Sequence, residues 1–192
     1  PMYVDLQSFP PINDPGYMQE YEKKRRELNS LPKVDYEEVN RLKHGYLQKL
    51  YNQIQRSLQH DEDYLQFCSA NESWLVPYAA FCLLRDKYNT CDFTAWPRHS
   101  TYKEEEVSLW ARKKKTELGY YMFVQYLLDK QLYEAATVAR NLGVVLKGDI
   151  PIGISRCSVE SWTEPHLFHM NGQAGAPPDD FSVNGQNWGF PT

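Results

Sequence analysis

Apolar positions along the chain recur every three or four residues up to about residue 142, and beyond Ser155 they lose any period. Met2-Tyr3-Val4-Asp5-Leu6 alternates and is closed by Pro10-Pro11, which predicts a short strand and a stiff turn. Asp14-Pro15 predicts a helix start, because an Asp cap and a Pro at the first helical position leave no backbone donor stranded; a polar helix to about Asn29 follows. After Pro32, Asp35 opens a second helix, with Glu38 placed to complete a capping box. Its residues Val39, Leu42, Tyr46, Leu50, Ile54 and Leu58 form one apolar face, which predicts packing. His60 to Asp63 reads as a turn and a new helix start.

An amphipathic stretch over 72–88 carries Trp74, Leu75, Tyr78, Phe81, Cys82 and Arg85, a helix docking on a core. Tyr88-Asn89-Thr90 ends it, and Thr94 to Pro97 is a loop or a single turn. A helix over 103–116 places Lys113, Lys114 and Lys115 near its C-terminal end, where cations favour the macrodipole. Gly119 marks an expected break or bend. The next helix, 119–142, has Tyr121, Leu128, Leu132, Ala135, Ala139 and Leu142 on one stripe, and Gly143 serves to end it in a left-handed turn. Val144-Val145-Leu146 then predicts a short buried strand that stops at Lys147-Gly148-Asp149. A helix feeding such a strand, with a carboxylate at its C-terminal end, points to the α/β class and a TIM-type β/α barrel, whose chemistry sits at strand C-termini. The Gly, Pro, Asn, Asp, Trp and Phe that follow predict long ordered loops, of the kind that bind something.

Composition narrows the partners. A net charge of −4 gives no electrostatic reason to expect nucleic acid or an anionic membrane, and the mixed charges of Glu22 to Glu27 fit a solvated helix face. No apolar run approaches the ~18 residues of a membrane helix. Cys68, Cys82, Cys91 and Cys157 have neither CxxC spacing nor the density of a secreted scaffold, so reduced thiols and a cytoplasmic location are expected. His166 and His169 with Glu164 nearby lack a third and fourth ligand in metal spacing, and no metal is expected. The chain begins at Pro1 and stops at Thr192 inside a motif-like run, which reads as a piece of a longer protein.

Four short motifs carry a resemblance: GDIPIGI (148–154), SVESW (158–162), GAPPDDF (175–181) and GQNWGFP (185–191). In order and spacing they resemble the 4-α-glucanotransferases, the amylomaltases or disproportionating enzymes of glycoside hydrolase family 77. PMYVDL, FCSANESWLVPYAAFCLLRD and FTAWP upstream resemble the same family, and the run LKGDIPIGISRCSVESW resembles its plant cytosolic branch. The resemblance implies an early barrel strand and turn over 1–13, a helical insert over 14–118, and a barrel helix, strand and cleft loops over 119–192. The implied activity is transfer of α-1,4-glucan segments to another glucan or glucose with retention and without cofactor. Such chemistry needs a nucleophilic carboxylate and an acid/base carboxyl group about 5–5.5 Å apart. The resemblance puts these on strands beyond Thr192, so no catalytic residue is expected here and the isolated piece should be inactive.

What it assigns to this chain is substrate binding. Asp149 matches the Asp at a barrel strand's end, where it shapes the donor-side pocket or simply caps the next turn. GAPPDDF matches a mobile loop over the glucan, with Gly175 as its free joint and Phe181 facing a sugar ring. Asp179 matches a family Asp, whereas Asp180 stands where many members have Tyr. Gln186 would bond hydroxyls, and Trp188 would stack on a pyranose or anchor the loop. An α-glucan hydrolase of the same barrel superfamily and a non-catalytic glucan-binding or helical module stay open as alternatives.

Overall fold

Aspartates at the heads of the helices set most of the architecture. In a computed structural model describing residues 1–192, α1 (Pro15–Asn29) opens with the Asp14 carboxylate accepting the Tyr17 N–H at 3.0 Å. Asp35 does the same for α2 (Tyr36–Leu58) through Glu38 N–H at 3.0 Å, and Asp61 for α3 (Glu62–Ala70) through Tyr64 N–H at 2.9 Å. Each side chain satisfies a donor that the first helical turn leaves free. Only half of the expected capping box forms, because the Glu38 carboxylate accepts from Arg41 instead of reaching back. The remaining helices are α4 (Glu72–Tyr88), α5 (Glu104–Lys113), α6 (Lys115–Asn141) and α7 (Val159–Thr163). One antiparallel pair, β1 (Gly175–Ala176) and β2 (Gln186–Asn187), is the whole sheet.

The chain divides into two compact units, Pro1–Glu72 with Gly119–Leu146, and Ser73–Leu118 with Lys147–Thr192. In the first, Leu47 and Leu50 of α2 are fully buried together with Val4, Phe123 and Leu127, so the apolar face of α2 packs as its spacing predicts. Tyrosines fill much of this core. Tyr21 and Tyr46 lie 4.8 Å apart, Tyr51 and Phe123 5.7 Å, and Tyr64 and Tyr126 5.4 Å, in the tilted and edge-on arrangements aromatic quadrupoles favour. His44, which stands beside the apolar face, is satisfied by the Tyr120 hydroxyl at 2.7 Å from Nδ1.

Residues 2–6 are not a strand. Their alternation holds, since Val4 and Leu6 are buried while Tyr3 and Asp5 are exposed, but no strand lies beside them. Side chains hold the backbone instead. Lys43 donates to the Met2 and Val4 carbonyls at 2.7 and 2.8 Å. Gln131 accepts the Asp5 N–H at 2.8 Å and returns a bond to the Asp5 carbonyl at 3.0 Å. A 3-10 turn over Leu6–Ser8 follows, capped by Asp5. Gly119 does not break a helix either; α6 runs through it, and a Cβ there would lie 2.1 Å from the Tyr51 hydroxyl, so this glycine admits a close approach. Val144-Val145-Leu146 is likewise neither strand nor buried, for it has no neighbouring strand to complete its hydrogen bonds.

In the second unit, α4 buries Leu75, Ala79, Ala80, Phe81 and Leu84. Asn89 ends it at φ +52°, a left-handed residue whose short polar side chain tolerates that region. Glu104, Glu105 and Glu106 in the first turn of α5, with Arg112 and Lys113 in its last, complement the dipole at both ends. The stretch beyond Ser155, expected as loops throughout, contains α7, capped by the Ser158 hydroxyl. Trp162 in α7 is only 1% exposed and centres a cluster with Phe81, Trp96 and Tyr102 at 5.8, 5.7 and 4.9 Å. Its indole N–H, which burial would otherwise strand, donates to the His99 carbonyl at 2.8 Å.

Candidate functional site

The residues from Gln173 to Phe190 form a hairpin, and four of the five expected substrate contacts lie on it. In register, Gly175 faces Asn187 and Ala176 faces Gln186. Two further bonds lengthen the pairing: Trp188 N–H to the Ala174 carbonyl at 2.8 Å and Ala174 N–H to the Phe190 carbonyl at 2.9 Å. A Cβ on Gly175 would stand 2.1 Å from the Gln186 carbonyl oxygen. Gly175 therefore lets two backbones approach, and the free joint expected there is instead a paired position.

Asp179 organises the tip. Its carboxylate accepts the Phe181 N–H at 3.0 Å and the Ser182 N–H at 2.7 Å, while its own N–H donates to the Ser182 carbonyl at 3.1 Å. The Ser182 hydroxyl donates to the Gly185 carbonyl at 2.6 Å, which closes the loop on itself. Phe181 emerges from this turn 97% exposed. An aromatic ring in water contributes nothing to folding, so this position is not explained by packing within the chain.

At the other end the Trp188 indole N–H donates to the Gln186 side-chain oxygen at 2.9 Å, so the structure brings these two candidates together. The Trp188 ring lies 6.0 Å from Phe190 at 33°, leaving the side chain 44% exposed. The bond fixes the indole plane and commits the Gln186 side-chain oxygen as an acceptor, while the same amide also carries two N–H donors. Asp149 is apart from the hairpin in sequence and lies in an exposed segment; its carboxylate accepts the next backbone N–H, of Ile150, at 2.9 Å.

Two supports of the hairpin escaped the sequence reading. Arg156 donates from both ends of its guanidinium to the Met170 and Gly172 carbonyls, clamping the hairpin's entry. In the GDIPIGI run, a Cβ on Gly153 would lie 2.0 Å from the Phe190 ring. The first and last of the four motifs thus meet through a glycine and a phenylalanine. A groove of about 430 Å³ opens in the first unit beside Ser8, Ile54, Asp61, Phe123, Lys130 and Glu134, and none of the five candidates lines it.

Comparison with known proteins gives this geometry a context. The family described as 4-alpha-glucanotransferase matches residues 1–192. A rice (Oryza sativa subsp. japonica) 4-alpha-glucanotransferase is 38% identical over 195 residues, covering 100% of this chain and 20% of its own length. The 4-alpha-glucanotransferase of Chlamydia caviae is 30% identical over 192 residues, covering 100% of this chain and 36% of its own. Among solved structures, an amylomaltase from Streptococcus agalactiae in complex with acarbose superposes with a TM-score of 0.71 at 25% identity, over 94% of this chain and 39% of that one. The amylomaltase from Corynebacterium glutamicum shares the fold at a TM-score of 0.76 and 20% identity, over 99% of this chain and 26% of its own. The chain therefore spans between a fifth and two fifths of the length of these relatives.

Proposed function

The chain belongs to the 4-alpha-glucanotransferase family, and from that premise we propose that it is part of an enzyme transferring α-1,4-glucan segments to another glucan or to glucose. The hairpin 173–190 is one wall of the glucan cleft. Phe181 presents its ring to a sugar face, Trp188 stacks on a pyranose with its plane set by Gln186, and Gln186 donates to hydroxyls. Asp179 acts mainly by shaping the tip that carries Phe181, and Asp149 borders the donor side. The observation that carries this reading is Phe181, 97% exposed on a turn that the Asp179 carboxylate holds in place.

The reaction proceeds by double displacement: a carboxylate displaces the leaving glucan, and a second carboxyl group protonates it and then activates the acceptor hydroxyl. Those two groups lie on barrel strands outside these residues, in a TIM-type barrel of which 119–192 supplies a helix and cleft loops and 14–118 a helical insert. Residues 1–192 alone are inactive, the working enzyme is cytoplasmic, and it needs no cofactor. Its partners are maltooligosaccharides and longer α-glucans.

Maltotriose tests the proposal in the full-length protein. Glucose together with chains longer than the substrate is the expected product ladder. Shorter sugars alone would assign the protein to hydrolysis, and an unchanged substrate would leave a binding module. Trp188→Ala is expected to raise KM for maltotriose on the order of tenfold, the value of about 1.4 kcal/mol that one aromatic contact supplies. An unchanged KM would make Trp188 an anchor of the loop.

A further inference from the structure

Trp188 is 44% exposed, so burial alone does not hold its ring. The Gln186 side chain sets the indole plane and the Phe190 ring backs it, yet both contacts depend on the course of the backbone around Trp188. Asn187 governs that course. Its side-chain oxygen accepts the Gly189 N–H at 2.9 Å, which closes a turn with Trp188 at the centre and Gly189 leaving it at φ +78°. An asparagine that bonds the N–H two residues on takes the place of a backbone turn bond. The other end of the same amide donates to the Gln173 side-chain oxygen on the opposite limb of the hairpin. Asn187 is paired in register with Gly175, which has no side chain to offer, so the tie runs to the diagonal neighbour, a span that long side chains cover. Asn187 and Gln173 are both exposed, and core packing accounts for neither. Without the Asn187 bond, Gly189 is free to take either sign of φ, and Phe190 no longer stays behind the indole.

We propose that Asn187 is a positioning residue for glucan binding. Through the Gly189 N–H and Gln173 it holds the backbone that presents Trp188, and it acts through the indole instead of on the sugar. Gln186 sets the plane of the ring, and Asn187 sets the base from which the ring stands. This inference rests on the cleft reading of the hairpin.

The test is KM and kcat for maltotriose in the full-length protein carrying Asn187→Leu, Asn187→Asp, Trp188→Ala, or Asn187→Leu together with Trp188→Ala. Asn187→Leu is expected to raise KM about threefold with kcat kept, the low end of what one hydrogen bond is worth, because these groups lie in water. Asn187→Asp keeps the parent KM, since one carboxylate oxygen accepts the Gly189 N–H and the Gln173 amide turns its N–H groups toward the other. The double variant has the KM of Trp188→Ala alone, because nothing is left to position. Effects that multiply in the double variant would overturn the proposal and leave the cleft reading standing. So would a KM unmoved by Asn187→Leu while Trp188→Ala raises it, and a lowered melting temperature beside that unmoved KM would make Asn187 a tie of the fold only. An unchanged KM in Trp188→Ala would remove the cleft reading and this inference together.

Discussion

The two halves of α6 both carry large apolar side chains and are opposite in fate. From Tyr120 to Leu127 the helix buries Tyr120, Phe123, Val124, Tyr126 and Leu127, with Phe123 only 1% exposed. From Leu132 onward, Leu132, Tyr133, Val138 and Leu142 face solvent, and the apolar run after the helix is no better covered: Leu142 is 75% and Val145 89% exposed. What separates them is partners. The first half meets Tyr51 of α2 and Tyr64 of α3, while nothing in the first unit covers the second. A hydrophobic stripe says which face wants burial, and only an opposing element grants it.

The largest expected effect tests that contrast directly. Phe123→Ala should destabilise the chain by about 3–5 kcal/mol, combining lost transfer energy with a cavity that tightly packed tyrosines cannot collapse into. Val145→Ala should stay within about 0.5 kcal/mol, because it removes methyl groups already in water. Urea unfolding monitored by tyrosine fluorescence measures both. A cost for Val145→Ala as large as that of Phe123→Ala would break the comparison and mean that 144–146 is packed in solution.

Gly119 sharpens it one step further, at the entrance to the buried half. Alanine should gain up to ~1 kcal/mol of helix propensity here. Its Cβ would nevertheless stand 2.1 Å from the Tyr51 hydroxyl and 3.1 Å from the ring carbon bearing it, and Tyr51 is buried against Tyr120 and Phe123. Overpacking of that kind costs about 1–3 kcal/mol, so Gly119→Ala should be net destabilising. Tyr51→Phe in the same chain should recover part of the loss, and a double-mutant cycle by thermal melting checks the coupling. Simple additivity would show that the helix shifts instead of clashing.

This difference also marks what the sequence could disclose. Caps at Asp14 and Asp35, and a helix start within His60 to Asp63 that Asp61 caps, were legible because an aspartate's reach to an N–H three residues on is local chemistry. The alternation of Val4 and Leu6 correctly told in from out, but strand or not depended on whether a strand or the side chains of Lys43 and Gln131 took up the backbone bonds. Burial of Trp162 depends on Trp96 and His99, more than 60 residues upstream, and no period could announce it. On the hairpin the candidates were readable from motif resemblance, whereas strands of two residues are too short to show alternation. Gly175 and Gly153 were visible as glycines, yet what each one admits, the Gln186 carbonyl or the Phe190 ring, lies elsewhere in the chain.

The smallest effect belongs to a helix end held by local chemistry alone. The Asp14 carboxyl sits below its ordinary value of 3.8, chiefly because the carboxylate accepts the Tyr17 N–H and next because Lys49 donates to it at 3.0 Å; partial burial opposes both. A carboxyl whose folded pKa is depressed contributes stability that is complete above its unfolded value and is lost as pH falls through the folded one. For Asp14 that window begins near 3.8 and extends to the acid side. Asp14→Asn retains an oxygen for the Tyr17 N–H and removes the charge, so its melting temperature should fall slightly below that of the parent at neutral pH and converge with it in acid. Added salt should narrow the neutral gap, since Lys49 and Asp14 are both nearly half exposed. A gap that widened in acid would mean that the cap works without its charge. In that case the head of α1 would owe its position to Tyr17 and Tyr21 packed against Tyr46, the same dependence on partners that divides α6.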